Sequence, residues 1–183
     1  NDGTAEVGLS YSYTPTKAQN VAHAAEPPKE PILKIETGMH TAMIRGIDID
    51  AANRFLVTGS NDKTVRVWEL PSGRLVRVLR PPIGEGNEGK IYSVTISPDG
   101  RQIACGGWTE LGSKSGHAIY LFDRATGEMA RRIEGLPEVI GHLSFSPDGK
   151  YLAAGLGGKN GIRIFRAADG TLIGEDKDYG DAS

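Results

Sequence analysis

The chain has 183 residues, with 21 Lys and Arg against 23 Asp and Glu and a formal net charge of −2. This near balance gives no basic footprint for nucleic acid or an anionic membrane surface, and no apolar run approaches the roughly 20 residues that a membrane-spanning helix needs. Glycine occurs 25 times and proline 10 times, which favours many short elements joined by turns over a few long ones.

Residues 1–30 differ in composition from the rest of the chain. They are rich in Ala, Pro, Lys and Glu without a sustained period, which predicts a flexible arm or linker. Because the first residue is Asn rather than Met, the compartment stays open between the cytoplasm and, if a signal peptide was removed, the periplasm. The single cysteine, Cys105, excludes an internal disulfide and a multi-cysteine metal site, and its apolar surroundings predict a buried side chain.

Residues 31–183 contain an internal repeat, which decides the predicted architecture. "SPDG" begins at Ser97 and again at Ser146, and a weaker copy of the same region begins at Asp50. Each unit has four short apolar stretches in the same order, and "PILKIE" before the first unit supplies one extra strand. The first strands are "IRGIDID", "IYSVTIS" and "VIGHLSFS"; the third strands are "TVRVW", "AIYLF" and "GIRIF".

Residues two apart in the first strands share a face, as in Ile47 with Ile49 and Val94 with Ile96. Helical spacing is nowhere sustained, so the prediction is all-β. Four antiparallel strands repeated every 40 to 50 residues or so are typical of propeller blades, whereas a sandwich would lack this self-similarity. We therefore expect a partial β-propeller of about three four-stranded antiparallel blades plus one extra strand.

The first unit, "GMHTAMIRGIDIDAANRFLVTGSNDKTVRVWEL", resembles the WD-repeat family of β-propellers. The resemblance implies sequence repeats at about 31–70, 74–123 and 128–166, with a fourth begun at 171. It also implies a structural network of four hydrogen-bonded side chains, those of His40, Thr58, Asp62 and Trp68. Ser60 is the alternative to Thr58 as the hydroxyl of this network. Glu69 stands where the family pattern has Asp.

A His-Asp-Thr set has the residue types of a catalytic triad. A working nucleophile also needs an open site and an oxyanion hole, and the sequence supplies neither, so we predict no catalytic residues. The second and third units have neither the Trp nor the turn Asp, and we expect them to depend on packing alone.

Three blades do not close a ring, since propellers typically use about 4–8. An open arc would expose apolar residues on its terminal blades. We therefore expect the remainder of the propeller to come from the same longer chain, from further copies or from a different protein. Sequence stretches such as "RPPIGEGNEGK" and "IYLFDR" resemble bacterial WD-repeat proteins, some of which carry a caspase-like peptidase domain.

Two long connections of the second unit predict the binding face. Segments 81–90 and 108–117 join different strand pairs but fall on the same face, and long irregular loops are more often functional than short ones. Arg45 and Tyr92 share one alignment position at the start of the first strand, and the WD-repeat resemblance implies that such positions face the mouth of the propeller's central channel. The candidate binding residues are Arg45, Tyr92, Trp108, Glu85, Asn87 and Lys90.

No cofactor or metal is predicted. "GEGNEG" lacks the Lys-Ser/Thr of a phosphate-binding loop, and Asp99 and Asp148 sit in "SPDG" turns without clustered acidic ligands. The predicted function is a protein-interaction scaffold that binds an unidentified protein partner. The alternatives are a sensory or regulatory arm of a bacterial caspase-like peptidase and a small-ligand-binding propeller.

Overall fold

The computed structural model describes residues 38–110 and 116–177. Within these two ranges the chain forms twelve β-strands and no helix, and hence no helix that could cross a membrane. The strands of the first sheet are β1 Ile44–Ile49, β2 Phe55–Ser60, β3 Val65–Glu69 and β4 Arg74–Leu79. Those of the second are β5 Lys90–Ile96, β6 Gln102–Trp108, β7 His117–Asp123 and β8 Met129–Leu136. Those of the third are β9 Ile140–Phe145, β10 Tyr151–Leu156, β11 Ile162–Arg166 and β12 Leu172–Asp176.

Each sheet is an antiparallel meander in which consecutive strands are neighbours. We call the three sheets the first, second and third blades. This architecture confirms the prediction of an all-β, partial β-propeller with three four-stranded blades. The stretch that begins at 171 supplies β12, which pairs with β11 and completes the third blade. The arm at 1–30 and the extra strand "PILKIE" lie outside the described residues.

The apolar core lies between blades rather than inside any one sheet. One cluster joins the first blade to the second and includes Val57 and Val67 against Val94 and Ile96. A second cluster joins the second blade to the third and includes Leu121 against Leu143. A sheet has two faces to cover, so stacking blades buries what a single blade cannot.

Side-chain hydrogen bonds tie the inner strands of successive blades. The Asp48 carboxylate of β1 accepts from the Thr95 hydroxyl at 2.7 Å and from the Ile96 N–H at 2.9 Å. The Ser93 hydroxyl of β5 accepts from the Leu143 N–H of β9 at 2.7 Å. These contacts hold the first strands of successive blades side by side. Equivalent residues at the ends of these strands therefore lie next to one another.

The two outer faces of the stack expose residues of the kind that the inner junctions bury. Ile47 of the first blade is 66% exposed, whereas Val94 at the equivalent place in the second blade is 4% exposed. Ile164 of the third blade is 39% exposed, whereas its counterpart Leu121 is 1% exposed. Each outer face therefore presents an apolar sheet surface of the type that packs against another blade.

Candidate functional site

The first blade brings His40, Thr58, Asp62 and Trp68 into one hydrogen-bonded chain. His40 Nδ1 lies 2.9 Å from Asp62 Oδ2, and His40 Nε2 lies 2.8 Å from Thr58 Oγ1. The Trp68 indole N–H donates to the same Thr58 oxygen at 2.9 Å. Ser60 stays outside this chain, because its hydroxyl donates to the Ala42 carbonyl and accepts from the Asp62 N–H.

The direction of the protons follows from the donors and acceptors present. The indole N–H of Trp68 can only donate, so Thr58 accepts there and has one O–H proton left. Donation of that proton to His40 Nε2 corresponds to the tautomer that carries its ring proton on Nδ1. The Nδ1–H of the same ring donates to Asp62. The chain thus runs from indole through hydroxyl and imidazole to carboxylate, with every proton used once.

Asp62 is also the hub of the turn between β2 and β3. Its carboxylate accepts from the Thr41 N–H at 3.0 Å, the Thr64 N–H at 3.0 Å and the Thr64 hydroxyl at 2.6 Å. Burial opposes ionisation of Asp62, but the hydrogen bonds from Thr64, His40 and Thr41 outweigh it, and the pKa of the carboxyl lies below its usual range. An ionised, multiply bonded carboxylate here holds the β2–β3 turn and the segment before β1 together.

This geometry supports a structural task rather than a chemical one. The side chains of His40 and Asp62 are 3% and 7% exposed, and Thr58 is buried with its oxygen already bonded on both sides. A substrate would have to displace this packing before it reached the hydroxyl. The hydrogen-bonded chain of His40, Thr58, Asp62 and Trp68 therefore supports strand register, which is the role implied by the WD-repeat resemblance.

The second blade does not depend on packing alone, and that prediction is wrong. Thr109, which directly follows β6, donates its N–H to His117 Nδ1 at 3.2 Å and its hydroxyl to the Ala118 carbonyl at 2.6 Å. The Ala118 N–H returns a bond to the same hydroxyl at 3.1 Å. The sequence signal for this contact was a Thr just after one strand and a His at the start of the next strand. The long connection between the two residues made their contact hard to predict.

The third blade also uses polar contacts. Arg163 of β11 is buried; it donates to the Asn160 carbonyl at 2.8 Å and pairs with Glu175 of β12 at 3.1 Å. Asn160 in turn donates to the Gly157 carbonyl at 2.9 Å. A guanidinium therefore joins the connection before β11 to the outer strand, where the first blade uses an imidazole and a carboxylate.

The residues predicted as a binding face fall into two adjoining groups at one end of the strands. In the first group, the Arg45 guanidinium lies 5.0 Å from the centre of the Tyr92 ring, across the junction of the first and second blades. This cation–π contact joins two residues predicted to share an alignment position. The third blade has Gly141 at that position and adds no side chain.

The second group gathers around Trp108 and the connection before β5. The Trp108 ring is 37% exposed and meets the His117 ring edge-on, with centroids 6.0 Å apart. Lys90 pairs with Trp108 in the β5–β6 register and donates to the Asn87 side chain at 2.7 Å. Glu85 and Asn87 are exposed at the tip of this connection. We call both groups together the loop face: Arg45, Tyr92, Trp108, Glu85, Asn87 and Lys90.

Other candidate sites offer little chemistry. Across residues 38–110 and 116–177 no group of three or more His, Cys, Asp or Glu side chains could hold a metal ion. Cys105 is fully buried, and burial raises the pKa of its thiol well above the ordinary range. A thiol in that state is neutral and unreactive at physiological pH.

Comparison with known proteins places this geometry in a family. A family model described as "WD domain, G-beta repeat" matches residues 32–69, 73–118 and 132–166, more than half of the chain. The chain is 34% identical over 122 residues to a guanine nucleotide-binding protein subunit beta of Oryza sativa subsp. japonica, covering 63% of this chain and 30% of that protein. It is 33% identical over 138 residues to the small ribosomal subunit protein RACK1 of Caenorhabditis elegans, covering 74% and 38%.

A solved structure of Kuenenia stuttgartiensis hydrazine synthase aligns with a TM-score of 0.57 at 20% identity, covering 72% of this chain and 36% of that one. At this identity the likeness concerns the fold alone. The aligned part of the chain spans 30% to 38% of the length of these proteins. The matched repeats and the three stacked blades nevertheless agree, and the chain belongs to the WD40 family of WD-domain, G-beta repeat proteins.

Proposed function

We propose that this chain is a protein-interaction scaffold and that the loop face is its binding surface. The observation that carries the proposal is the Arg45–Tyr92 pair, which spans two blades at the same end of the strands as the exposed Trp108. Arginine, tyrosine and tryptophan are the residues most enriched in binding hot spots. The proposal includes no catalytic step.

Two hydrogen bonds fasten the connection before β5 to the residues beside it. The Gly89 N–H donates to the Trp108 carbonyl at 2.6 Å, so the connection before β5 is fastened to the end of β6. Lys63 of the first blade donates to the Gly84 carbonyl at 2.8 Å and ties the same connection to its neighbour. A surface that is ordered before binding loses less entropy when a partner docks.

The charges on the loop face favour a partner with mixed polar and apolar side chains. Lys90 and Arg45 supply positive charge, and Glu85 supplies a carboxylate at the exposed tip. Rim charges of both signs orient a partner, while aromatic residues supply most of the binding energy. A folded protein or peptide fits this pattern better than a polyanion does.

The experiment places a photoreactive residue at Asn87 in cells of the source organism and identifies the cross-linked protein. Binding of that purified protein is then measured by calorimetry to the parent chain, to a Tyr92→Ala/Trp108→Ala variant and to Glu128→Ala, an exposed change on the opposite face. We expect a loss of affinity of about tenfold or more for the double variant and no change for the control. Equal affinity for all three chains would contradict the proposal.

We further propose that blade-like sheets cover the two outer faces of the stack. The support is the exposure of Ile47 and Ile164 where the equivalent residues are buried. The remainder of the propeller would come from the same longer polypeptide or from other chains. The two relatives compared above by sequence are a plant and a nematode protein, so they lend no support to a bacterial origin or to an arm of a caspase-like peptidase.

A further inference from the structure

The two junctions between blades differ at the end of the strands opposite the loop face. Backbone hydrogen bonds define which positions correspond. The Arg124 N–H donates to the Arg101 carbonyl at 2.8 Å, and the Ala167 N–H donates to the Lys150 carbonyl at 2.8 Å. Arg124 in the second blade and Ala167 in the third therefore occupy the same place. By the same test, Gly100 and Gly149 correspond, because each donates its N–H to the serine three residues earlier in its "SPDG" turn at 2.8 Å.

At the junction of the first and second blades an arginine fills this place. Arg124 Nε donates to the Gly100 carbonyl, 2.6 Å away. The guanidinium carbon lies 3.8 Å from the centre of the Phe55 ring of the first blade. The side chain thus closes the junction with a charge-assisted hydrogen bond on one side and a cation–π contact on the other.

Two further contacts cross the first junction and have no counterpart at the second. The Ala51 N–H donates to the Pro98 carbonyl at 3.2 Å, and the Arg54 guanidinium donates to the Asp99 carbonyl at 2.8 Å. At the second junction Pro98 stands in the place of Ala51 and has no N–H to donate. Arg101, in the place of Arg54, turns instead toward the Asp99 side chain of its own turn, 3.7 Å away.

The second junction consequently opens into a groove of about 580 Å³ between the two "SPDG" turns. Ala167, which lines this groove, has only a methyl group at the place where the preceding junction has the Arg124 side chain. The groove contains the Gly149 turn, whose carbonyl corresponds to the acceptor for Arg124, and Gln102 in the place of Phe55. It also contains the half-exposed Tyr151 ring, which supplies an aromatic surface.

The groove is lined by charges of both signs, the carboxylates of Asp99 and Asp148 and the cationic side chains of Arg101, Lys150 and Arg166. Hydrogen bonds from Ser97 and Ser146 hold the pKa values of Asp99 and Asp148 below the ordinary range, that of Asp148 at about 2. Both carboxylates are therefore ionised at physiological pH. The cationic side chains in the groove each lie beside an aspartate, and these pairs are Arg101–Asp99, Lys150–Asp148 and Arg166–Asp169.

We propose that this groove binds an arginine side chain of a partner protein, in the place that Arg124 fills at the preceding junction. The guanidinium donates to the Gly149 carbonyl and lies against Gln102 and Tyr151. Because the groove and the loop face lie at opposite ends of the strands, this site stands independently of the proposed function.

The test is a titration of the ¹⁵N-labelled protein with N-acetyl-arginine amide, followed by amide chemical shifts. We expect saturable shifts at Lys150 and Ala167, and binding weaker by about tenfold with the citrulline analogue, which keeps the shape but lacks the charge. Equal response to citrulline, or tighter binding of N-acetyl-aspartate amide at these amides, would overturn the proposal.

Two variants make the test specific. Ala167→Arg should fill the groove with the chain's own side chain and abolish the shifts at Lys150. Arg124→Ala should open the first junction and give residue 124 a new response to the arginine probe, whether or not the first variant folds. An unchanged response in a folded Ala167→Arg protein, or no new response in Arg124→Ala, would contradict the assignment.

Discussion

Arg77 and Arg131 hold equivalent places in the outer strands of the first and second blades, and each donates hydrogen bonds to a turn of the next blade. Arg77 donates to the carbonyls of Ala125 and Thr126, at 2.5 and 2.9 Å. Arg131 donates to the carbonyls of Ala168 and Asp169, at 3.0 and 2.7 Å. The same side chain in the same position thus repeats one contact between blades.

Removal of the Arg77 hydrogen bonds to the next blade should weaken the packing between blades. We expect Arg77→Ala to lower the free energy of unfolding by about 1–2 kcal/mol, since two charge-assisted hydrogen bonds to backbone are lost. Urea denaturation followed by tryptophan fluorescence measures the change. The matched control is Arg74→Ala, which removes only an exposed pair with Glu69 and should leave the stability nearly unchanged, because solvent screens such pairs. An equal loss of unfolding free energy in the two variants would show that the Arg77 hydrogen bonds add nothing beyond surface charge.

Replacement of Asp62 should destabilise the first blade. Asp62→Ala leaves the His40 ring and the N–H groups of Thr41 and Thr64 without their acceptor, at a cost of about 1–3 kcal/mol. A double-mutant cycle with Thr58→Val, measured by chemical denaturation, should show that the two losses are not additive. Glu128→Gln, an exposed carboxylate change, is the control and should be nearly neutral.

The same carboxylate predicts a pH dependence. The pKa of Asp62 is lowered in the folded state, so its contribution is fully present above the unfolded value of about 3.9 and is lost as pH falls through the folded value. The stability difference between the parent chain and Asp62→Asn should therefore be largest above about pH 5 and shrink steadily below about pH 4. Denaturation curves collected at several pH values test this, and a difference that grows on acidification would reverse the sign of the argument.

Gly46 should tolerate no side chain, because the inner strands approach closely there. A Cβ at Gly46 would lie 2.9 Å from the Val94 nitrogen and 3.2 Å from the Ser93 Cα, both backbone atoms of the next blade. We expect Gly46→Ala to cost about 1–3 kcal/mol through this overlap. Gly174→Ala is the matched control, since a Cβ there meets nothing within 4 Å. A melting temperature unchanged in Gly46→Ala would show that the blades separate easily.

Cys105 should report on unfolding of the core. Its side chain is fully buried in the cluster between the first and second blades, and burial raises the pKa of the thiol. Reaction with a disulfide reagent at pH 8 should be slower by about 1000-fold or more than in denaturant, because the thiol is reached only after the core opens. Rapid labelling of the native protein would mean that the first two blades part without global unfolding.

The sequence by itself determined the all-β class and the division into blades. Alternation at Val94 and Ile96 places both on one face of a strand whatever the fold, because successive side chains in a strand point to opposite faces. The spacing of turn residues set where the strands end. The acceptor at Asp62 and the donor at Trp68 could also be anticipated, because the resemblance of the first unit to the WD-repeat family implies both roles.

The tertiary structure alone decided what happens between blades. Arg77 reaches a turn almost fifty residues away, and Thr109 meets His117 across a long connection, so no local pattern announces either contact. Ala167 is an ordinary small residue in the sequence; only the backbone pairing of its blade shows that it holds the place that Arg124 has one blade earlier. These features depend on how whole sheets stack, and the stacking geometry sets distances that neighbours along the chain cannot encode.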